Sequence, residues 1–263
     1  MMKKLLSMAA IAVVGGILSC ETEEGLQPGN EISQEVLARI GELGFSTENV
    51  QMVDGDYLVE GDIILRHQQL DGSAERSTLR IAEVEQYHTF NLVRNLPRTI
   101  TVSLSGTVSS AFSNSLNNAI ARYNAEGLNI NMQRVSSGGD IVVKMVNTGR
   151  YIASAGFPDN QGNPYPEVKY SKKFSKYSDG FMTTVLAHEI GHCIGFRHTD
   201  YMDRSYSCGS GGNEGQTTSG VGAVHIPGTA TGPDAASWML SCLSSTTNRP
   251  FNSNDRVALG YLY

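Results

Sequence analysis

Residues 188–198 read HEIGHCIGFRH, and this stretch restricts the fold more tightly than any other. On a helix His188 and His192 stand four apart, so their imidazoles project from one face, one turn apart. Two imidazoles at that separation can share one zinc ion. Glu189 lies at the edge of the same face, where it reaches a water on the metal without using a coordination position. Gly195, three residues after His192, permits a backbone with φ > 0. The helix can therefore stop sharply, and the chain swings His198 back as a third ligand. Three nitrogen ligands leave one position open, which marks a catalytic rather than a structural zinc. Cys193 leaves the helix about 100° from the ligand face and reads as a small buried hydrophobe. His67, His88 and His225 have no metal spacing and read as surface or hydrogen-bonded histidines.

The rest of the chain supplies a frame for that helix. An amphipathic helix is expected over Ile32–Leu43, stopped by Gly44, then a strand over Tyr57–Leu65 broken by Gly61. Residues 66–97 are polar, with weak periodicity, and read as a partly ordered connector. From Arg98 the pattern is denser. Strands are expected at Thr99–Leu104, Asn129–Val135, Asp140–Val146, Tyr151–Ala155 and Glu167–Tyr170. Long helices are expected at Ser109–Ala125 and Ser178–Phe196, and a last helix at Ser253–Tyr263 with Ser253 as its N-cap. Between Phe196 and Ser253 lie some fifty residues of Gly, Ser and Thr. The fold class is α+β: a mixed twisted sheet, two long helices and a loop-rich C-terminal subdomain.

The first twenty residues read as an address. Lys3 and Lys4 precede an apolar stretch from Leu5 to Leu18, of signal-peptide length and too short to span a bilayer. Ile17-Leu18-Ser19-Cys20 resembles a bacterial lipobox, which makes Cys20 the lipidation site of an exported lipoprotein at the outer membrane or cell surface. An exported chain carries its remaining cysteines into an oxidising compartment. Cys208 and Cys242 are the expected disulfide, because both lie in the late loop-rich region. The 20 basic and 26 acidic residues give a net charge of -6, against a nucleic-acid partner. The expected organisation is a signal peptide over 1–19, a lipidated tether over 20–30, a pro-segment or accessory region over 31–97 and a catalytic domain over 98–263.

The motif HExxHxxGxxH resembles the signature of the metzincin zinc endopeptidases, and the HEIGH wording looks most like a bacterial group of HEIGH-type metallopeptidases. The resemblance covers roughly Arg98–Tyr263 and implies a zincin-like fold, one Zn2+ and protein or peptide substrates. It implies that zinc activates a water, that Glu189 acts as general base, and that substrate lies extended along the sheet's edge strand, here Tyr151–Ala155. Metzincins carry a tight methionine turn beneath the metal, and Ser237-Trp238-Met239 fits it, with Met239 the matching methionine. Two departures limit the likeness. Ser241 stands where astacins and serralysins have a tyrosine ligand. Thr199 stands where astacins have a glutamate that holds the mature N-terminus.

Residues 57–64, YLVEGDII, resemble the Phe-x-Gly-Asp segment of astacin propeptides, whose aspartate occupies the open position of the zinc. Asp62 is the matching residue, with Val59 in place of the phenylalanine. The other reading is a plain strand-turn with a solvated aspartate. If Asp62 is a latch, proteolysis in the connector releases it, and Arg66, Arg76, Arg80, Arg94 and Arg98 are the expected cut sites. Two further functions would keep the same residues: a non-catalytic binding lipoprotein, and a zinc hydrolase of non-peptide amides.

Overall fold

The computed structural model describes residues 32–70, 86–210, 221–229 and 233–263. The signal stretch, Cys20, the tether, Arg76 and Arg80 lie outside the described residues. Residues Ile32–Tyr263 form one compact body. In chain order its elements are α1 (Gln34–Glu42), β1 (Gln51–Val53), β2 (Asp56–Val59), β3 (Ile63–Leu65), α2 (His67–Leu70), β4 (Tyr87–His88), β5 (Arg98–Ser105), α3 (Ser110–Asn124), β6 (Ile130–Arg134), β7 (Ile141–Val146), β8 (Ala153–Ser154), β9 (Glu167–Ser171), α4 (Asp179–Ile194), α5 (Ser205–Cys208), β10 (Val224–His225) and α6 (Ser253–Leu262). Among the described residues no helix is long and apolar enough to cross a membrane.

The main sheet has the order β6-β5-β7-β9-β8. Its first four strands are parallel, and β8 runs antiparallel to β9 at the edge. The sequence-predicted edge segment is therefore the observed edge, shortened to two paired residues. Helices α3 and α4 share one core cluster with this sheet. Phe112 of α3 meets Tyr170 of β9 edge to face, with centroids 4.7 Å apart. The Tyr123 hydroxyl donates to the Ala187 carbonyl of α4 at 2.6 Å, which fixes the two helices in register.

Helix α4 is buried on every side from Phe181 to Ile194. A helix apolar all round lies in a core rather than on a surface. Ser178 caps its start by accepting from the Phe181 N–H, and Gly195 ends it in the left-handed region at φ 113°. A Cβ at Gly195 would also lie 2.7 Å from Leu92, so this stop has no room for a side chain.

The structure corrects three local expectations. The single strand over Tyr57–Leu65 is instead an antiparallel hairpin of β2 and β3, because Glu60 (φ 58°) and Gly61 (φ 92°) turn the chain. Asn252, not Ser253, caps α6, in a reciprocal box with Asp255. Within the expected connector, residues 86–97 pack into the body: the Arg197 N–H donates to the Tyr87 carbonyl, the Thr89 N–H to the Gly195 carbonyl, and β4 pairs with β10. Short polar strands of this kind lack the periodicity that reveals them in sequence.

Candidate metal centre

Helix α4 delivers His188 and His192 from adjacent turns, and the reversal at Gly195 delivers His198. The three imidazole centroids lie 4.7, 4.9 and 5.4 Å apart. Asp62, at the tip of the β2–β3 hairpin, completes the group, and one ligand atom from each of the four residues lies within 4.8 Å of every other. Asp62 Oδ2 is 3.2 Å from His198 Nε2 and 3.5 Å from His188 Nε2.

The outer nitrogens explain why these side chains converge. His188 Nδ1 meets the Trp238 carbonyl at 2.9 Å, and His192 Nδ1 meets the Phe196 carbonyl at 2.8 Å. A carbonyl can only accept, so each Nδ1 must carry the proton and each Nε2 keeps a bare lone pair. Both Nε2 atoms are buried and make no hydrogen bond. Buried polar groups are rarely left this way unless something else binds them. Three imidazoles and a carboxylate around one point are the donor set of zinc.

Trp238 and Met239 are fully buried and lie against Gly191 of α4. The Thr199 N–H donates to the Met239 carbonyl at 2.8 Å, so the turn holds the chain on both sides of the histidine cluster. Asp255, whose carboxyl burial pushes up to about 6, accepts from the Trp238 N–H and the Gln86 side chain and ties the turn to α6. Gly191 gives the turn its place, because a Cβ there would stand 2.6 Å from Met239 Sδ. Gly191→Ala is therefore expected to overpack the turn and cost about 1–3 kcal/mol, visible as a lower urea midpoint at unchanged slope.

Glu189 is buried, and its Oε2 makes no hydrogen bond. Burial, reinforced by the Asp62 charge, raises its carboxyl well above the ordinary range. Burial also acts to raise Asp62, but the surrounding histidines outweigh it and hold that carboxyl well below the usual range. A cavity of about 240 Å³ opens beside Glu189, lined in part by Asp62, Tyr151, Val185 and Leu243.

The sheet edge beside this cavity is already paired. Ala155, directly after β8, donates its N–H to the Asp62 carbonyl at 2.9 Å and accepts the Ile64 N–H at 2.7 Å. Cys208 and Cys242 are bridged, with 5.2 Å between their Cα atoms, and Cys193 is free and buried. His88 Nδ1 lies 2.6 Å from the Thr89 carbonyl, and His67 stacks edge-on against Tyr57.

Sequence reasoning did not find Glu60, Arg197 or Arg204. Arg197 is fully buried, with its guanidinium 3.9 Å from the Phe45 ring centroid. It donates to the Val221 and Gly44 carbonyls. Only a lone arginine next to His198 signalled it.

No curated protein sequence matches the chain. Two solved structures of myroilysin resemble it. One is 17% identical with a TM-score of 0.46, covering 66% of this chain and 96% of that one. The other is 23% identical with a TM-score of 0.33, covering 41% of this chain and about half (48%) of that one. The family model described as dual-action HEIGH metallo-peptidase matches residues 58–263, which include the Asp62 hairpin, the histidine cluster and the methionine turn. The chain belongs to the HEIGH metallopeptidases.

Proposed function

We propose that this metallopeptidase is a zinc endopeptidase in which His188, His192 and His198 hold the metal and Glu189 is the general base. The observation that carries the reading is the pair of buried Nε2 atoms without a hydrogen bond, together with a buried Glu189 oxygen, Oε2, that also has none. Zinc, when bound, supplies a Lewis acid that polarises a peptide carbonyl and acidifies a water. Glu189 Oε2 takes the proton of the attacking water and returns it to the leaving amine. The edge at Ala155 offers an N–H and a carbonyl that hold an extended peptide by backbone pairing.

The same geometry supports a zymogen reading. The Asp62 carboxylate stands where the fourth ligand would, and the Asp62–Ile64 backbone takes the edge that a peptide would use. Of the candidate cut sites, the three within the described residues are tied into the body. Arg98 lies within β5 and bonds to Asp140 and Gly162. Arg94 donates its N–H to the Gly162 carbonyl, and Arg66 lies over the Tyr165 ring. Export and lipidation at Cys20 rest on the lipobox-like sequence and place the enzyme at the outer membrane or cell surface.

The test is metal removal from the cut protein. Chelation is expected to abolish cleavage of a mixed peptide library, and one equivalent of zinc per chain to restore it. Cleavage that persists in chelator with zinc-free protein would overturn the reading.

A further inference from the structure

The three histidines differ in what holds their outer nitrogens. His188 and His192 each use a backbone carbonyl close to the site. His198 turns its Nε2 to the cluster, and its Nδ1 lies 3.5 Å from a carboxylate oxygen, Glu60 Oε2, at ion-pair rather than hydrogen-bond distance. Both side chains are completely buried. Glu60 is itself held firmly. Its Oε1 accepts the Ser46 N–H at 3.0 Å and lies 3.9 Å from the Arg197 guanidinium. Its carbonyl accepts from Arg204 at 2.6 Å. Its backbone sits at φ 58°, a conformation that a non-glycine residue keeps only when its surroundings impose it. A carboxylate on the outer nitrogen of a metal-binding imidazole fixes the tautomer, orients the ring and makes the inner nitrogen a stronger donor.

We propose that Glu60 is the positioning residue of the third metal ligand: its carboxylate takes the His198 Nδ1–H and so governs how tightly the metal is retained. The proposal rests on the zinc reading above but not on the latch. Glu60 and Asp62 stand two residues apart on one hairpin, with opposed duties. Asp62 faces the fourth position, and Glu60 works from behind the third ligand.

The test is zinc affinity of the uncut chain, measured by competition with a chromophoric chelator. Glu60→Ala is expected to weaken zinc binding by about 10–100-fold. Glu60→Gln, which keeps an acceptor oxygen but loses the charge, should fall between Ala and wild type. The same ordering should persist in an Asp62→Ala background, since the two carboxylates touch different sides of the site. In the zinc-loaded wild type, long-range proton–nitrogen spectra should show His198 as the Nδ1–H tautomer, and Glu60→Ala should lose that fixed state. Removing Glu60 alone takes a carboxylate away from the buried Arg197 guanidinium, 3.9 Å distant. If circular dichroism in chelator shows that Glu60→Ala does not fold, Glu60→Gln/Arg197→Met removes both charges together and is read in its place, with Arg197→Met as its reference. Affinity of Glu60→Ala, or of that double variant, within about twofold of its reference would overturn the proposal. Failure of the wild type to bind zinc would instead bring down the metal reading itself.

Discussion

Glu189→Gln, measured in protein freed of its N-terminal hairpin, is expected to retain one zinc per chain and to lose about 10²–10⁴ of its peptide-cleavage rate. Glutamine fills the same volume in α4, so the packing of the buried face is preserved. No hydrogen bond is lost at Glu189 Oε2, which has no partner. Burial already disfavours the charge at that position, so the neutral amide should fold at least as stably as the carboxylate. What disappears is the carboxylate that follows His188 directly in α4 and could accept a proton. Zinc content, thermal melting and kcat should be read on the same sample. Near wild-type turnover by a zinc-loaded variant would show that another group takes the proton.

Asp62→Ala should have the opposite sign. The intact chain is expected to be nearly inactive, and the substitution, or a cut between residues 70 and 86, to raise activity on the order of 10²-fold. The reason is competition: a tethered carboxylate faces the metal at an effective concentration of order millimolar, against which a dilute peptide cannot win. Asp62 lies within 3.5 Å of two of the histidines, and its own carbonyl occupies the edge at Ala155. Substitution removes only the first of these obstacles, whereas cutting removes both, so the cut chain should be the more active of the two. Rates are compared at equal zinc loading. Equal rates for Asp62→Ala and an already active intact chain would refute the latch.

The parts of this site that were legible in sequence are those whose chemistry is written in spacing. His188, His192 and Gly195 announce themselves because a helix has a fixed period and a sharp stop. Helices α3 and α4 and strands β5, β6, β7 and β9 follow from periodicity alone, each within one or two residues of its observed ends. Asp62 was visible only through a likeness to another family's segment. Glu60 lay two residues away and carried no signal, because nothing in a single sequence tells which carboxylate turns inward at a tight hairpin. The packing of residues 86–97 was hidden for a related reason. Tyr87, Thr89 and Val93 are buried by partners distant in sequence, such as Gly195, His225 and Tyr263. Contacts of that range leave no local pattern. The N-cap of α6 was missed by one residue because Asn252 and Ser253 are both good caps.

The β2–β3 hairpin does not merely cover the body; the two share an interior. Phe157 and Val221 pack in one cluster with Ile40, Phe45, Val59 and Ile63, while Leu58 and Ile64 belong to the main core. A gene beginning at residue 86 would therefore make a polypeptide with an open strand edge and a bare apolar flank, two properties that favour aggregation over folding. Order of events then matters to anyone producing the enzyme. Producing the chain whole keeps that flank covered while it folds.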